Sequence, residues 1–286
     1  MKKIRFIFTS VLISAILILS SLSSAFAATY FSDGVFTFMK NGDGTITITE
    51  YKLKDGNMVV PEKIFGDTVV AVKMMAFYQN NYIVSASFPD TLKSIGDAAF
   101  YEASNLQSVV IPENCLNVGS GALQNCPSLK NVEIKSQLTE IKDQVFYNCS
   151  SLETIEIPST VESIGSFAFS DCSSLTSLVI PKATTSIASN AFRNCPNLTL
   201  YVYKDSYAHQ FAVEKSINFE VIPEYEIGDV DMNGIVNVSD ATLIQQYAVS
   251  IKELSDYQLS IADVNGDGVV NVLDATQIQR ILVGFA

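Results

Sequence analysis

Apolar residues recur through the middle of the chain with a period of 23 residues. A bulky apolar side chain leads each unit, at Phe77, Phe100, Leu123, Phe146, Phe169 and Phe192. A β-branched residue stands five positions earlier, at Val72, Ile95, Val118, Ile141, Ile164 and Ile187. A further apolar residue stands six positions later, at Ile83, Leu106, Leu129, Leu152, Leu175 and Leu198. Six units in register predict a solenoid, because one unit buries its apolar side chains only by stacking on its neighbours.

Each unit contains one stretch in which apolar and polar residues alternate. In the unit led by Phe146, the segment Leu152–Ile157 has the period of two that is typical of a short strand. Pro158 ends that strand, since proline has no N–H to donate. The segment Ile164–Phe169 predicts a compact turn or a short helix on the opposite wall. We therefore expect an α/β solenoid with both elements in every coil, about 30 Å long at a strand spacing of roughly 4.8 Å.

The unit from Ile164 to Pro181 closely resembles the bacterial leucine-rich repeat of the BspA surface-protein type. The resemblance covers residues 68–205, and Leu123 and Lys135 are the visible departures from it. It implies an α/β leucine-rich-repeat fold. It also implies a role in adhesion or in binding a partner, with a ligand that stays unknown, and no catalytic residues in the repeat itself.

Segments on both sides of the repeats are predicted to cap the solenoid. The Asn41–Gly44 segment superficially suggests a calcium loop, but Lys52 stands where the twelfth position needs a carboxylate, so we interpret it as a hairpin turn. The predicted divisions of the chain are a signal peptide 1–27, an N-terminal β cap 28–67, repeats 68–205, a C-terminal cap and linker 206–225, and a small α-helical domain 226–286.

Two segments of that last domain share one pattern of oxygen-bearing side chains. The first begins at Asp229 and the second at Asp263, 34 residues later. Both have oxygen side chains at loop positions 1, 3, 5, 9 and 12, glycine at 6 and a backbone carbonyl at 7, which is the ligand plan of a calcium loop. The predicted ligands of two Ca²⁺ ions are Asp229, Asp231, Asn233, Ile235, Asn237, Asp240, Asp263, Asn265, Asp267, Val269, Asn271 and Asp274.

The two loops end in aspartate, where an ordinary EF-hand has glutamate. We expect no amphipathic helix to enter either loop, whereas the helices that leave them, Ala241–Tyr247 and Ala275–Ile281, match closely. This duplicated loop and helix resembles a type I dockerin. The resemblance implies a cohesin module on a scaffold protein as partner, in a cellulosome-type assembly for polysaccharide catabolism. It implies cohesin contacts at Val238, Ser239, Gln245, Gln246, Val272, Leu273, Gln279 and Arg280.

The N-terminus has the order of a secretory signal peptide, with basic Met1–Arg5, apolar Phe6–Leu22 and a cleavage motif at Ala25–Ala27. An uncut membrane anchor is the alternative, since the apolar run is long enough to span a bilayer. Cleavage leaves 15 of the 18 basic residues against 30 acidic ones, a net charge of −15. This acidity excludes nucleic acid and anionic membranes as partners, because phosphate binding needs clustered Lys and Arg. We expect a secreted protein, free or held at the cell surface through a scaffold.

The five cysteines follow the repeat. Cys126, Cys149, Cys172 and Cys195 share one position, three residues after the leading residue, and Cys115 belongs to a second column. We expect small, buried free thiols, which is a common role of cysteine. A line of thiols, one in each coil, offers no tetrahedral metal site. Disulfides between neighbouring coils stay open as an alternative.

Candidate catalytic groups in the repeats are few. A Cys–His nucleophile would have to combine Cys195 with His209, the only histidine. Glu133 and Glu156 share a column on the outward strand face, but paired carboxylates hydrolyse glycosides only within a cleft. We therefore predict a non-catalytic protein whose repeats recognise a ligand. The alternatives are a cellulosomal hydrolase acting on polysaccharide or peptide through an unrecognised site, and a spacer without a ligand.

The outward strand positions are mostly small or polar and offer no aromatic platform for sugars, which disfavours a cellulose-type binding face. Tyrosines recur one position after the leading residue, at Tyr78, Tyr101 and Tyr147. They form either an aromatic stripe or a row that packs over the turns with hydroxyls in water.

Overall fold

The computed structural model describes residues 29–222 and 225–284. The predicted signal peptide, residues 1–27, lies outside the described residues. The chain divides into two compact units, with the boundary between Glu220 and Val221. None of the helices in the described ranges has the length and apolarity needed to cross a membrane.

Short strands build most of the structure before this boundary. They are β1 (Tyr30–Ser32), β2 (Phe36–Lys40), β3 (Thr45–Tyr51), β4 (Asn57–Val59), β5 (Lys63–Ile64), β6 (Asp67–Val72), β7 (Ser85–Ser87), β8 (Ser94–Ile95), β9 (Ser108–Ile111), β10 (Asn117–Val118), β11 (Asn131–Ile134), β12 (Glu140–Ile141), β13 (Ser163–Ile164), β14 (Ser177–Val179), β15 (Ser186–Ile187), β16 (Thr199–Tyr203) and β17 (Asn218–Ile222). Helix α1 (Tyr207–Lys215) lies between β16 and β17 and begins after the N-cap Ser206.

The N-terminal strands form a cap that continues into the solenoid. β1, β2 and β3 are antiparallel, and alternate side chains of β2 and β3 are buried, at Phe36, Phe38, Ile46 and Ile48. Gly42 and Gly44 have φ values of 89° and 80°, so Asn41–Gly44 forms the hairpin turn that the sequence predicted. β3 then pairs in parallel with β6, which joins the cap to the first coil.

One wall of the coils carries strands at the predicted positions. β4, β7, β9 and β11 form a parallel sheet. Its register joins equivalent residues 23 apart, for example Ser85 with Ser108 and Ser108 with Asn131. Val109 and Ile111 alternate with outward side chains and are buried. The sequence repeat is thus also the structural repeat.

The opposite wall carries short strands that the sequence analysis did not predict. The two-residue strands β8, β10, β12, β13 and β15 each end in the β-branched residue of the repeat and pair in parallel. A turn, not a helix, follows each of them, which decides between the two predicted alternatives. Ala98 and Glu102 in one such turn have φ values of 51° and 59°, and left-handed residues interrupt a right-handed helix. The turns bond from coil to coil, as when the Phe77 N–H donates to the Ala99 carbonyl at 2.8 Å.

The strand wall is interrupted in the coil led by Phe146. The predicted strand Leu152–Ile157 is wrong for this coil, where an isolated bridge joins Thr154 to Ser177. A separate sheet of β14, β16 and β17 begins beyond it. Glu133 on β11 and Glu156 occupy one column on adjacent coils. Like charges directly opposite each other disfavour close strand pairing, which gives a physical reason for the gap.

The core consists of stacked columns. The rings of Phe146 and Phe169 stack at 5.1 Å between centroids, and all six leading residues are buried. In the neighbouring column, the Cys149 thiol donates to the Leu123 carbonyl at 3.2 Å and the Cys172 thiol to the Phe146 carbonyl at 3.0 Å. All five cysteines are free thiols, as predicted, and Cys195 alone among them is half-buried.

After the boundary, three helices form a small domain. They are α2 (Val238–Ala248), α3 (Asp256–Ala262) and α4 (Val272–Leu282). α2 and α4 pack against each other. The buried apolar side chains of this domain include Val230, Ala241, Ile244, Ala262, Ala275 and Ile278. The solenoid and the small helical C-terminal domain confirm the predicted fold class.

Candidate functional site

The first C-terminal loop wraps its backbone around Asp229. This side chain is 1% exposed. Its two carboxylate oxygens accept from the N–H of Asn233 at 3.1 Å and from the N–H of Gly234 at 2.8 Å. Gly234 has a φ of 87°, a left-handed conformation that glycine adopts without steric cost. Loop positions 1, 5 and 6 are therefore tied together.

Asp240 closes the same loop from the first turn of α2. Its buried carboxylate accepts from the N–H groups of Asp231 and Asn237, both at 2.8 Å. Asn237 caps the helix, because its Oδ1 accepts from the Ser239 N–H at 2.8 Å. Asn237 and Asp240 together form a capping box. The helix start thus holds the position-12 carboxylate at the loop.

Three carboxylates converge in this loop. Asp229, Asp231 and Asp240 each offer an oxygen that lies within 4.8 Å of the other two. Oxygens on opposite sides of one Ca²⁺ are about 5 Å apart, since each bond is about 2.4 Å long. No Lys, Arg or His in the described part of the chain forms an ion pair with these acids. Buried carboxylates require a compensating charge, so the donor set fits Ca²⁺.

The other predicted ligands of the first loop bond to one another. Asn233 Oδ1 accepts from the Ile235 N–H at 2.9 Å. Asn237 Nδ2 donates to the Ile235 carbonyl at 2.8 Å. A carbonyl oxygen has two lone pairs, so the Ile235 oxygen keeps one that is available to a cation.

The second loop repeats this frame. The Asp263 carboxylate accepts from the N–H groups of Asp267 and Gly268 at 3.1 and 2.9 Å. Asp274 is buried and accepts from the N–H of Asn265 at 3.1 Å and from that of Asn271 at 2.9 Å.

The acids are distributed differently in the second loop. Asn265 stands at position 3, where the first loop has Asp231, and Asp267 stands at position 5. Asn271 caps α4 and donates to the Val269 carbonyl at 2.9 Å. The two loops thus share their backbone frame but not their placement of charge.

A helix leads into the second loop. α3 ends at Ala262, and Asp263 is its C-cap. Ile261 and Ala262 of this helix are buried whereas Ser260 is exposed, so the expectation that no amphipathic helix enters either loop is wrong for the second one. Ser255 and Gln258 form a capping box at its start, a spacing that the sequence already contained. Gln258 Nε2 also donates to the Val230 carbonyl at 2.8 Å. This helix therefore connects the two loops, which sequence reasoning missed.

The eight residues predicted to contact a cohesin lie at the surface. Four apolar or hydroxyl side chains begin α2 and α4, and Val238, Val272 and Leu273 are 64%, 51% and 59% exposed. Ser239, Gln245, Gln279 and Arg280 are exposed, and Gln246 is half-buried. Exposed apolar side chains at helix starts form a surface suited to a protein partner.

The candidate catalytic groups of the solenoid contact other residues instead of one another. Glu133 is exposed and forms an ion pair with Lys135 at 3.5 Å. Glu156 is exposed on the interrupted coil. His209 Nδ1 accepts from the Asp205 N–H at 3.2 Å, whereas the Cys195 thiol donates to the Phe169 carbonyl at 3.0 Å.

The tyrosine column is partly stacked. Tyr78 and Tyr101 lie 5.5 Å apart with planes 15° from parallel. A hydrogen bond to Glu102 raises the pKa of Tyr101. Tyr147 instead meets Phe167 edge to face at 6.3 Å. The three tyrosines therefore do not form one continuous stripe.

Repeated coils and a small helical domain with two matching loops define a modular protein that contains a repeat scaffold. Residues 70–199 match the BspA type leucine rich repeat region in six copies. Residues 227–283 match the dockerin type I domain. The chain thus combines a BspA-type leucine-rich-repeat region with a type I dockerin, as both resemblances predicted.

Solved structures include three similar chains. A leucine rich cell surface protein from Faecalibacterium prausnitzii is 26% identical with a TM-score of 0.51, over 63% of this chain and 56% of that one. A leucine-rich repeat protein from Eubacterium ventriosum is 23% identical with a TM-score of 0.49, over 60% and 51%. A Leucine Rich Repeat protein from T. pallidum is 25% identical with a TM-score of 0.42, over 69% and 84%.

The match to the first of these spans little more than half of that protein's length and supports the leucine-rich-repeat fold. No curated protein matches the chain. A type I dockerin implies docking to a cohesin in a cellulosome-type assembly, whose components are typically extracellular, and such domains generally bind calcium. The repeat region is a scaffold, and neither family is a catalytic module.

Proposed function

We propose that this is a secreted, non-catalytic protein that docks to a cohesin through its calcium-loaded C-terminal domain and uses its leucine-rich repeats as a recognition or adhesion arm. The observation that best supports docking is the convergence of three carboxylates within 4.8 Å in the first loop. A bound ion removes their mutual repulsion and stabilises the loop that starts α2. Ion binding and the display of the docking surface are therefore coupled.

The proposal includes two ions, one in each loop. The ligands are the twelve residues named from the sequence, with the Ile235 and Val269 carbonyls at position 7. The second loop supports its own site because Asp263 and Asp274 receive the same backbone hydrogen bonds as Asp229 and Asp240.

Calcium-dependent capture tests the docking role. The tagged mature chain is incubated with the secreted fraction of the source organism, in calcium and again in EGTA. We expect a cohesin-bearing scaffold to be retained in calcium alone. The double variant Asp229→Ala, Asp263→Ala should lose this partner, whereas Glu113→Ala, which removes an exposed acid of the solenoid, should keep it. Retention in EGTA, or no cohesin in calcium, contradicts the proposal.

The exposed residues at the starts of α2 and α4 are proposed to contact the cohesin. Val238→Asp and Leu273→Asp place charge on side chains that are 64% and 59% exposed. Both variants should bind calcium normally. If each single variant still binds the cohesin and the double variant does not, the partner binds in two orientations. If one variant alone abolishes binding, a single orientation is used.

The alternative to a recognition role for the repeats is a hydrolase activity. Glu133 and Glu156 are both exposed in the described structure. Glu156 lines a cavity of about 340 Å³ that Glu133 does not line, so the two carboxylates do not share a cleft, which favours recognition. Turnover of polysaccharides and peptides is measured for the mature chain, for Glu133→Gln and for Glu156→Gln. We expect no turnover. Activity that either substitution abolishes would establish the hydrolase instead.

Secretion and the domain limits are also part of the proposal. N-terminal sequencing of the exported protein should find Ala28 as the first residue. Limited proteolysis in calcium should cut in the part of 206–225 that follows β17, and should leave the repeats and the dockerin intact. A mature chain that keeps Met1 indicates the membrane anchor.

A further inference from the structure

A polar groove runs along the edge of the solenoid, beside the turns that follow the leading residues. It consists of two cavities of about 520 and 470 Å³. Asn148 lines both of them, so they are adjacent. The groove extends from Gln79 to Asn194, five coil steps or roughly 24 Å at the strand spacing.

One amide or carboxylate from each coil lines this groove. These residues follow the leading residue by two positions, at Gln79, Glu102, Asn125, Asn148, Asp171 and Asn194. All six have φ values between 52° and 63°. This left-handed conformation is uncommon for residues other than glycine, asparagine and aspartate, so the backbone presents every side chain in the same way.

Neighbouring side chains of the row hold one another. Gln79 Nε2 donates to Glu102 at 2.7 Å, Asn148 Nδ2 donates to Asn125 at 3.1 Å, and Asn194 Nδ2 donates to Asp171 at 2.7 Å. Each amide nitrogen carries a second hydrogen, and each oxygen a second lone pair. The row therefore offers both donors and acceptors in a preorganised line.

The charge of the groove excludes anionic ligands. Its charged lining residues are Glu102 and Asp171. Hydrogen bonds, first of all from Asn194, lower the pKa of Asp171, so this carboxylate is ionised at neutral pH. A polymer of uronic acids or phosphates would meet negative charge without a basic partner among the lining residues.

The backbone of the groove is not available to an extended peptide. Strand addition requires free N–H groups at a sheet edge. The N–H groups of Gln79, Glu102 and Asn125 already donate to carbonyls of the next coil at 2.8, 3.0 and 2.8 Å. Recognition must therefore use the side-chain amides and carboxylates, which pair well with hydroxyl groups that both donate and accept.

We propose that this groove binds a linear, neutral polysaccharide in an extended conformation. This proposal names the ligand class of the repeats, and it therefore rests on their proposed role as a recognition arm. The row supplies one polar step for each coil, and a sugar unit in an extended glycan advances by a comparable distance. Exposed Ser173 lines the second cavity and lies within reach of such a chain.

Affinity electrophoresis of the full mature chain in calcium tests this inference. Gels contain xylan, galactomannan or hydroxyethyl cellulose, with polygalacturonate as the anionic counterpart. We expect at least one neutral polymer, and not polygalacturonate, to retard the protein. Ser173→Tyr fills the groove without changing a left-handed residue and should weaken association at least tenfold. Asn148→Asp keeps the side-chain shape but removes donors where the cavities join, and should weaken it as well.

Ser159→Tyr is the matched control, because Ser159 is exposed on another part of the coil and does not line the groove. It should bind like the unaltered chain, and thermal unfolding of all variants checks their folding. Binding that Ser173→Tyr leaves unchanged, preference for polygalacturonate, or no retardation by any neutral polymer overturns the inference. Cohesin capture by the same preparations separates these results from a failure of docking. If Ser159→Tyr alone loses binding of neutral polymers, the repeats still bind a polysaccharide, but through a surface other than this groove.

Discussion

Replacement of Asp240 by asparagine is the sharpest test of the calcium site. The Asp240 carboxylate is buried, and its two oxygens accept from the N–H groups of Asp231 and Asn237 at 2.8 Å each. Asparagine keeps one acceptor oxygen and turns an NH₂ group toward the other N–H. The substitution therefore removes one of three converging negative charges and one hydrogen bond, at almost unchanged volume.

The magnitude follows from these contacts. A hydrogen bond to a charged group contributes about 1.5–3 kcal/mol. The upper value, about 3 kcal/mol, corresponds to roughly 100-fold weaker calcium binding if it is lost from the calcium-bound loop, at 1.4 kcal/mol for each factor of ten. Without calcium the loss is smaller, because removal of a charge also relieves repulsion among the carboxylates.

Isothermal titration of the calcium-free mature chain measures this effect. We expect two ions for the unaltered chain, and one unchanged plus one roughly 100-fold weaker site for Asp240→Asn. Asp274→Asn is the matched substitution in the second loop, where the same two kinds of backbone hydrogen bond are made. It should weaken the other site and leave the first unchanged.

Two results would refute the reasoning. If Asp240→Asn binds both ions within threefold of the unaltered affinities, Asp240 is not a ligand and serves only to cap α2. If either single substitution removes both sites, the loops do not bind independently, and the coupling through Gln258 of α3 dominates.

Three further predictions concern the solenoid. Phe146→Ala should destabilise it by about 3–5 kcal/mol in urea unfolding, because a buried ring stacked on Phe169 is removed; exposed Tyr78→Ala should cost far less, and equal losses would contradict the column packing. Cys149→Ala should cost about 1 kcal/mol more than Cys149→Ser, whose hydroxyl can still donate to the Leu123 carbonyl, and the reverse order would show that this bond is unimportant. Burial raises the pKa of the Cys126 thiol from 9.0 to about 12, so the folded state holds its proton more tightly than the unfolded state does. This contribution to stability is complete below pH 9 and is lost as the pH rises from about 9 to 12; Cys126→Ala should show a flatter loss of stability over that range, and identical pH profiles would contradict the assignment.

Residue spacing alone determined the two modules. The 23-residue repeat predicted the solenoid because the coils must align like residues to bury Phe, Ile and Leu side chains. The two calcium loops could also be predicted from the sequence, since calcium coordination demands oxygen side chains at set positions and glycine at the sharp turn. The cysteine positions also predicted buried free thiols, for the same reason of periodicity.

Tertiary structure decided what depends on contacts between coils. The strands of the second wall are two residues long and form only because equivalent residues of adjacent coils pair, so no local pattern marks them. The strand predicted at Leu152–Ile157 is lost although its alternation is intact, since strand pairing depends on the neighbouring coil as well as on the local pattern. Likewise, the polar groove arises because six left-handed residues align their side chains along the stack. The sequence holds that row at the repeat period, but only the fold shows that its members touch and line one surface.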